Sequence, residues 1–321
     1  MKTVSRVLNN EPNVAQATRE RVRNAARELH YTPSLAAREL AGSRSYSIAL
    51  FYDDPSPSYL MRLQRGAVDA CREAGYHLIL EPISMKEADS LDLELKLSRL
   101  GVDAAILSPP LDRHKPLRAA LQTLGIRMSI VSSAVETDAF VVGIDEFAAA
   151  YRMTDYLIEL GHHDIGFIRG PDHHSAADVR FQAYRSALDD HGLIYNPDWV
   201  AIGDFSMQSG KRAGETLLNR LSAEGTRRPT AIFASNDDMA VGLIHAAMAH
   251  GIRVPKDLSV SGFDNTDAAK TVWPTLTTID QPIQSMGTLA AKALITGDVE
   301  AKTQHLGFDL IERESTAIRR I

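Results

Sequence analysis

From about residue 46 to the C-terminal region, short apolar runs alternate with amphipathic stretches, and most of the amphipathic stretches end at a glycine. The runs 48–52, 77–80, 104–107, 128–131, 165–168, 231–234 and 258–261 read as buried strands. Between them, helical periodicity covers about 60–74, 87–100, 116–124, 146–160, 176–191, 209–221 and 237–250. Gly75, Gly101, Gly125, Gly161, Gly192 and Gly251 each follow one of these helices, where a left-handed residue closes the last turn. Strand, helix, glycine, strand is the order of parallel α/β sheets. About 277 residues lie beyond position 44, enough for a large core and two lobes.

Parallel sheets bind ligands beyond the carboxyl ends of their strands. No phosphate loop, dinucleotide fingerprint or G-x-S-x-G turn occupies those ends, so neither an enzyme nor a cofactor is expected. His162-His163 and His173-His174 are adjacent pairs that do not converge easily on one ion, and no metal is expected. The single cysteine, Cys71, makes no intrachain disulfide and reads as a small core residue. No apolar run reaches membrane-spanning length and no signal peptide is seen, so a cytoplasmic location is expected.

The strand ends do offer groups suited to hydroxyls. The first is followed by Tyr52-Asp53-Asp54-Pro55-Ser56-Pro57-Ser58-Tyr59, the fifth by Arg169-Gly170-Pro171 with His174 and Arg180 beyond. Gly203-Asp204-Phe205, Asn236-Asp237-Asp238 and Phe263-Asp264-Asn265 close further apolar runs. Planar arginine, carboxylates and amides bind vicinal hydroxyls, and an aromatic ring covers the apolar face of a sugar. Aspartate and asparagine after strands are also helix N-caps, and Asn236 and Asp237 suit both roles.

The N-terminal stretch is of another kind. Val4, Val7 and Leu8 form one apolar stripe, with Lys2, Thr3, Ser5 and Arg6 on the other side. That pattern fits either a short surface helix or a helix that offers its polar face to bases and phosphates. A second helix is expected from about 18 to 30, with Val22, Ala25, Ala26 and Leu29 on one face and Arg19, Arg21, Arg23 and Arg27 on the other. Tyr31-Thr32-Pro33 ends it, and a third short segment runs from 34 to 41 before Gly42-Ser43. Residues 1–44 hold eight Lys/Arg against four Asp/Glu, a net of +4; the chain totals −6, so the remainder carries −10. A basic arm on an acidic body is the asymmetry of a DNA reader.

T-V-S-R-V-L-N, T-R-E-R-V and Y-x-P-x-x-x-A-R-x-L follow in that order, and with the body they make the chain resemble the LacI/GalR family of bacterial repressors over essentially all 321 residues. The resemblance implies an α/β, two-lobed periplasmic-binding-protein-like clamp of parallel sheets, preceded by an incomplete all-α helix-turn-helix headpiece and hinge helix. It implies a truncated headpiece and hinge over 1–44 and an effector-binding and dimerisation domain over 45–321. The N-lobe is expected at about 46–145 and 278–305, the C-lobe at about 146–277 and 306–321. Carried over by position, Met1, Lys2 and Arg6 read bases, Thr3 and Ser5 meet phosphates, Ala37 faces the minor groove, and Leu40 wedges into it. Tyr59, His174, Arg180, Phe205, Asn236, Asp264 and Gln281 fall at effector-contact positions.

Two departures stand out. Ala183 replaces a glycine common three residues after the arginine, without obvious consequence. The helix and turn that precede the family's recognition helix are absent, so a start upstream of Met1 is expected, with residues 1–44 poorly ordered off DNA. The function implied is a DNA-binding transcriptional regulator, most simply a repressor, acting as a homodimer on palindromic operator DNA. No tetramerisation zipper follows Thr316. A sugar or glycoside effector is favoured over a purine, because the His174/Ala176 pair lacks the side-chain acceptors a purine calls for. The rival readings are a sugar-binding clamp protein without DNA function and a cytoplasmic α/β sugar-metabolising enzyme.

Overall fold

The computed structural model describes residues 2–8, 14–29, 31, 44–53, 56–132, 137–220, 228–297 and 302–319. The chain falls into two compact units, Met1–Tyr46 and Ser47–Ile321. The first contains the helices Lys2–Leu8 and Gln16–Glu28. Val7 is buried, whereas Val4 is 44% and Leu29 77% exposed, so the apolar faces of the two helices are only partly covered. The hinge segment 34–42 lies outside the described residues, and there the expectation of poor order falls on residues not described.

The second unit carries two parallel sheets, which build two lobes. In the first lobe β1 (Ser47–Tyr52) lies between β2 (His77–Pro82) and β3 (Ala104–Leu107). The sheet continues through β4 (Arg127–Val131), β5 (Phe140–Ile144) and β11 (Thr303–Leu306), giving the order β11-β5-β4-β3-β1-β2. The second lobe has β6 (Ile165–Arg169), β7 (Val200–Ile202), β8 (Ala231–Ala234) and β9 (Ser259–Ser261) in the order β7-β6-β8-β9. A short antiparallel pair, β10 (Thr278–Asp280) and β12 (Asp309–Ile311), sets Ile279 opposite Leu310. The chain enters the second lobe after β5, returns before β11, and crosses once more before Ser315, whose hydroxyl donates to the Val260 carbonyl at 2.6 Å.

Burial on both faces explains why these strands read as unbroken apolar runs: Ile48 through Phe51, all of β3 and all of β8 are buried. The six glycines named above all have positive φ, from 59° to 85°, where side-chain-bearing residues are strained. The helix Pro57–Ala74 starts on Ser56, whose hydroxyl accepts from the Tyr59 amide, with Pro57 at a position that needs no amide donor. It crosses the helix Ile283–Thr296 so closely that a Cβ on Gly66 would lie 1.9 Å from the Gln284 carbonyl oxygen, and one on Gly287 2.1 Å from that of Leu63.

Two expectations need correction. The helix expected over 87–100 is two helices, Met85–Ala88 and Leu93–Leu100. Ser84 and Glu87 form a capping box that fixes the first as a separate turn, and Asp89 ends it. The strands β5, β7, β10, β11 and β12 and the helix Ile283–Thr296 were not anticipated. β5 follows β4 with no helix among the described residues between them, which takes it out of the alternation used to find strands. The other four strands have three or four residues, too few to show a period.

Candidate functional site

A cavity of about 30 Å³ lies among the carboxyl ends of the strands, room for about two water molecules. Ser56, Tyr59 and Pro109 line it from the first lobe; Glu146, His174, Ala176, Arg180, Phe205, Asn236 and Asp264 line it from the second. Six of the seven residues expected at effector positions therefore meet around one space. The seventh, Gln281, stands behind it and donates from Nε2 to Asp264 Oδ1 at 2.5 Å.

Arg180, on the helix Ser175–Asp190, is buried at the centre of the polar groups. Its Nε donates to Glu146 Oε2 at 2.7 Å and its Nη2 to Glu146 Oε1 at 3.1 Å, a two-pronged pairing. Nη1 donates to the Ser235 carbonyl and lies 3.9 Å from Asp264 Oδ1. The guanidinium carbon sits 3.7 Å from the centre of the Phe263 ring. Burial alone would disfavour the cation, but the charges of Glu146 and Asp264 outweigh it and raise the Arg180 pKa. Asp264 is pushed well above the usual carboxylate range, first by burial and further by Asp237, with Arg180 opposing.

The aromatic corner is built by backbone that side-chain-bearing residues rarely adopt. Phe205 has φ 68° and Asp264 φ 111°. Gly170 makes room for the Phe205 ring: a Cβ there would lie 2.3 Å from its Cζ. The His174 ring packs against Phe205 at 4.5 Å between centres. Burial, aided by the Arg180 charge, pushes the His174 pKa down to about 3, so the imidazole is neutral. Its Nδ1 is buried and has no hydrogen-bond partner. Asn236 caps the helix Asp237–Ala249 through Oδ1 and holds the Phe205 carbonyl through Nδ2 at 2.9 Å. Asp237 is turned away from the cavity: it accepts from the Thr266 amide and hydroxyl and from the Thr278 hydroxyl, and burial raises its pKa to about 7.

Among the described residues, further hydrogen bonds join the lobes across the cleft. Ser56 Oγ donates to Asp238 Oδ2 at 2.7 Å. Ser175 Oγ donates to Asp112 Oδ2 at 2.9 Å, and Ser132 Oγ donates to the same oxygen at 2.6 Å. Arg62 Nη1 donates to the carbonyl oxygens of Asp264 and Asn265 at 2.7 and 3.1 Å.

In the first unit, Thr3 and Arg6 are exposed on the helix Lys2–Leu8. Lys2 and Ser5 belong to the same helix, with side chains outside the described residues; Met1, Ala37 and Leu40 lie outside them altogether. Val4, Val22, Ala25, Ala26 and Leu29 border an apolar groove of about 540 Å³.

Glu146 was missed from the sequence. It opens the helix Glu146–Glu159 directly after β5, so recognising that strand is what would have marked it as a strand-end residue.

Residues 1–34 match the family described as bacterial regulatory proteins, lacI family, and residues 154–316 match the periplasmic binding protein-like domain. The HTH-type transcriptional repressor PurR of Edwardsiella ictaluri (strain 93-146) is 33% identical over 98% of this chain and 93% of its own length. The chain belongs to the LacI family. Solved LacI-family structures follow the same course. A complex of the transcriptional regulator CelR with cellobiose superposes with a TM-score of 0.75 at 32% identity, covering 98% of this chain and 95% of that one. The Lac repressor dimer bound to operator and the anti-inducer ONPF gives 0.80 at 25% identity, with the same coverage of both chains. The two-lobed clamp is thus the LacI-family fold, and the family's regulatory-protein match coincides with the two N-terminal helices.

Proposed function

We propose that this LacI-family chain is a DNA-binding transcriptional repressor whose operator affinity is set by a small effector, a sugar or glycoside, held between the lobes of Ser47–Ile321. The observation that carries it is the meeting of Tyr59, His174, Arg180, Phe205, Asn236 and Asp264 around one cavity. Phe205 and Tyr59 supply rings for an apolar sugar face, while Asp264 and His174 supply groups for hydroxyls. The relative CelR is named for its cellobiose complex, a ligand of this kind.

A space of about 30 Å³ does not hold a sugar, so entry requires the lobes to part at the Ser56–Asp238, Asp112–Ser175 and Arg62 contacts. In this scheme lobe movement is passed to the hinge segment 34–42 of two chains on a palindromic operator, with Leu40 wedged in the minor groove. The working division is a DNA reader over 1–44 and a sensor over 45–321, in a cytoplasmic homodimer. Among the described residues no helix is long and apolar enough to cross a membrane. The Lac repressor of the comparison is a dimer on its operator, which supports the same assembly here.

A thermal-unfolding screen with sugars, glycosides and purines, followed by operator binding with each hit, tests this. An effector at a hundred times its dissociation constant adds about 2.7 kcal/mol of stability. A sugar that stabilises the chain and changes operator affinity supports the proposal; sugar turnover without any operator effect would replace it with the enzyme reading.

A further inference from the structure

We infer that the cavity selects an effector without negative charge, and that Glu146 imposes this by neutralising Arg180 from within the protein. This rests on the effector reading above and narrows its ligand class to uncharged polyhydroxylated molecules, to the exclusion of sugar phosphates, nucleotides and sugar acids.

An arginine in a ligand cavity is ordinarily the anchor for phosphate or carboxylate, because its planar fork meets two oxygens at once. Here the side-on fork of Nε and Nη2 is occupied. Nε and Nη2 engage both oxygens of Glu146, Nη1 engages the Ser235 carbonyl, and the carbon lies over Phe263. A phosphate that took the fork would displace Glu146 and leave its carboxylate, 9% exposed, unpaired beside a second anion.

No other lining residue offers a cation in compensation. His174 is neutral, with its pKa near 3. Arg62, which reaches the Asp264 backbone, is turned onto the Asp264 and Asn265 carbonyls and lies 3.8 Å from Asp280. Asp264 is the other acidic side chain on the cavity wall. The one cation of the lining is thus already neutralised by Glu146, and nothing else there offers an anion a charge partner.

The groups still available suit hydroxyls. His174 Nδ1 has no partner, and Asp264 Oδ2 carries no hydrogen bond among the described residues. A hydroxyl can donate or accept, so it pairs with the Asp264 carboxyl in either protonation state and with the imidazole nitrogen in either tautomer.

The test uses the full chain with matched probes at equal ionic strength: ribose against ribose 5-phosphate, glucose against glucose 6-phosphate, and inorganic phosphate alone. Calorimetry and thermal unfolding are compared between the wild type and Glu146→Gln, which keeps an oxygen for Arg180 and removes the charge. Because phosphate also strengthens folding by exclusion from protein surfaces, the readout is the difference between the two proteins. The wild type should show no saturable binding of any phosphate. Glu146→Gln should gain phosphate binding at least about tenfold tighter than the wild type. Saturable binding of any of the phosphates by the wild type overturns the inference, as does a folded Glu146→Gln protein with no gain. Should that variant not fold, Glu146→Ala is measured in its place, and the wild-type titration still decides. Failure of every neutral probe while Glu146→Gln gains phosphate binding supports the inference and counts only against the sugar reading.

Discussion

The six-stranded lobe presents a hydroxyl, a phenol and a proline to the cleft through Ser56, Tyr59 and Pro109, whereas the four-stranded lobe presents Glu146, His174, Arg180, Phe205, Asn236 and Asp264. Their construction is otherwise alike. Each wraps helices around a parallel sheet, and each brings two helices together at glycines. In the second lobe, a Cβ on Gly242 would lie 2.1 Å from the Met207 carbonyl oxygen and one on Gly210 2.3 Å from Met239 Cα, as Gly66 and Gly287 meet their partners in the first. What differs is where charge and strained backbone are kept. Phe205 and Asp264, both at positive φ, and the buried Arg180–Glu146 pair all belong to the second lobe. The cavity's charge and aromatic side chains are thus concentrated on one half, and the other half closes over them.

The comparison is broken most severely by removing the buried cation. Arg180→Ala leaves Glu146 buried and unpaired and should cost about 3–5 kcal/mol in denaturant unfolding, with effector response lost. A cost below about 1 kcal/mol would mean that the second lobe does not depend on this pair. Gly66→Ala and Gly242→Ala, one in each lobe, should each cost about 1–3 kcal/mol through forced separation of helices. Unequal costs would show that the two crossings are not equivalent. Ser175→Ala removes a hydrogen bond to the buried carboxylate of Asp112 and should lower stability by about 1–2 kcal/mol, read from the same unfolding curves. Phe205→Ala should weaken a sugar ligand by about 1 kcal/mol in calorimetry, and Tyr59→Ala by less; the reverse order would move the stacking surface to the first lobe.

A pH slope tests the second lobe's buried acids separately. Burial raises the Asp237 pKa from 3.8 to about 7, so the folded chain holds this proton more tightly than the unfolded chain. Its contribution to stability is complete below pH 3.8 and is lost as pH rises through about 7. Asp112, Asp238 and Asp264 are raised by burial too and act in the same direction. Unfolding free energy should fall between about pH 5 and pH 8, less steeply in Asp237→Asn.

The α/β class and the cleft were legible because parallel strands end where ligands bind, and residues such as Asn236 and Phe205 stand just past apolar runs. Glu146 was not, since it is reached through a strand that lacks its preceding helix. Gln281 stood out as a polar residue in a crossover, but nothing local told that Asp264 lies between it and the cavity. The glycines inside helices gave no sign of their purpose either, because Gly66 and Gly287 are 221 positions apart and only the crossing brings them together.

The contacts between Ser56 and Asp238, at the cavity edge, and between Ser175 and Asp112 hold the lobes together. They set a detection threshold. The apparent dissociation constant is the intrinsic one divided by the fraction of molecules already parted, so each hydroxyl that shuts the cleft raises the effector concentration at which the regulator responds. Losing the Ser175 hydroxyl would make a less stable protein and a more sensitive sensor, and the response range of such a regulator can drift through serine substitutions while its ligand contacts stay unchanged.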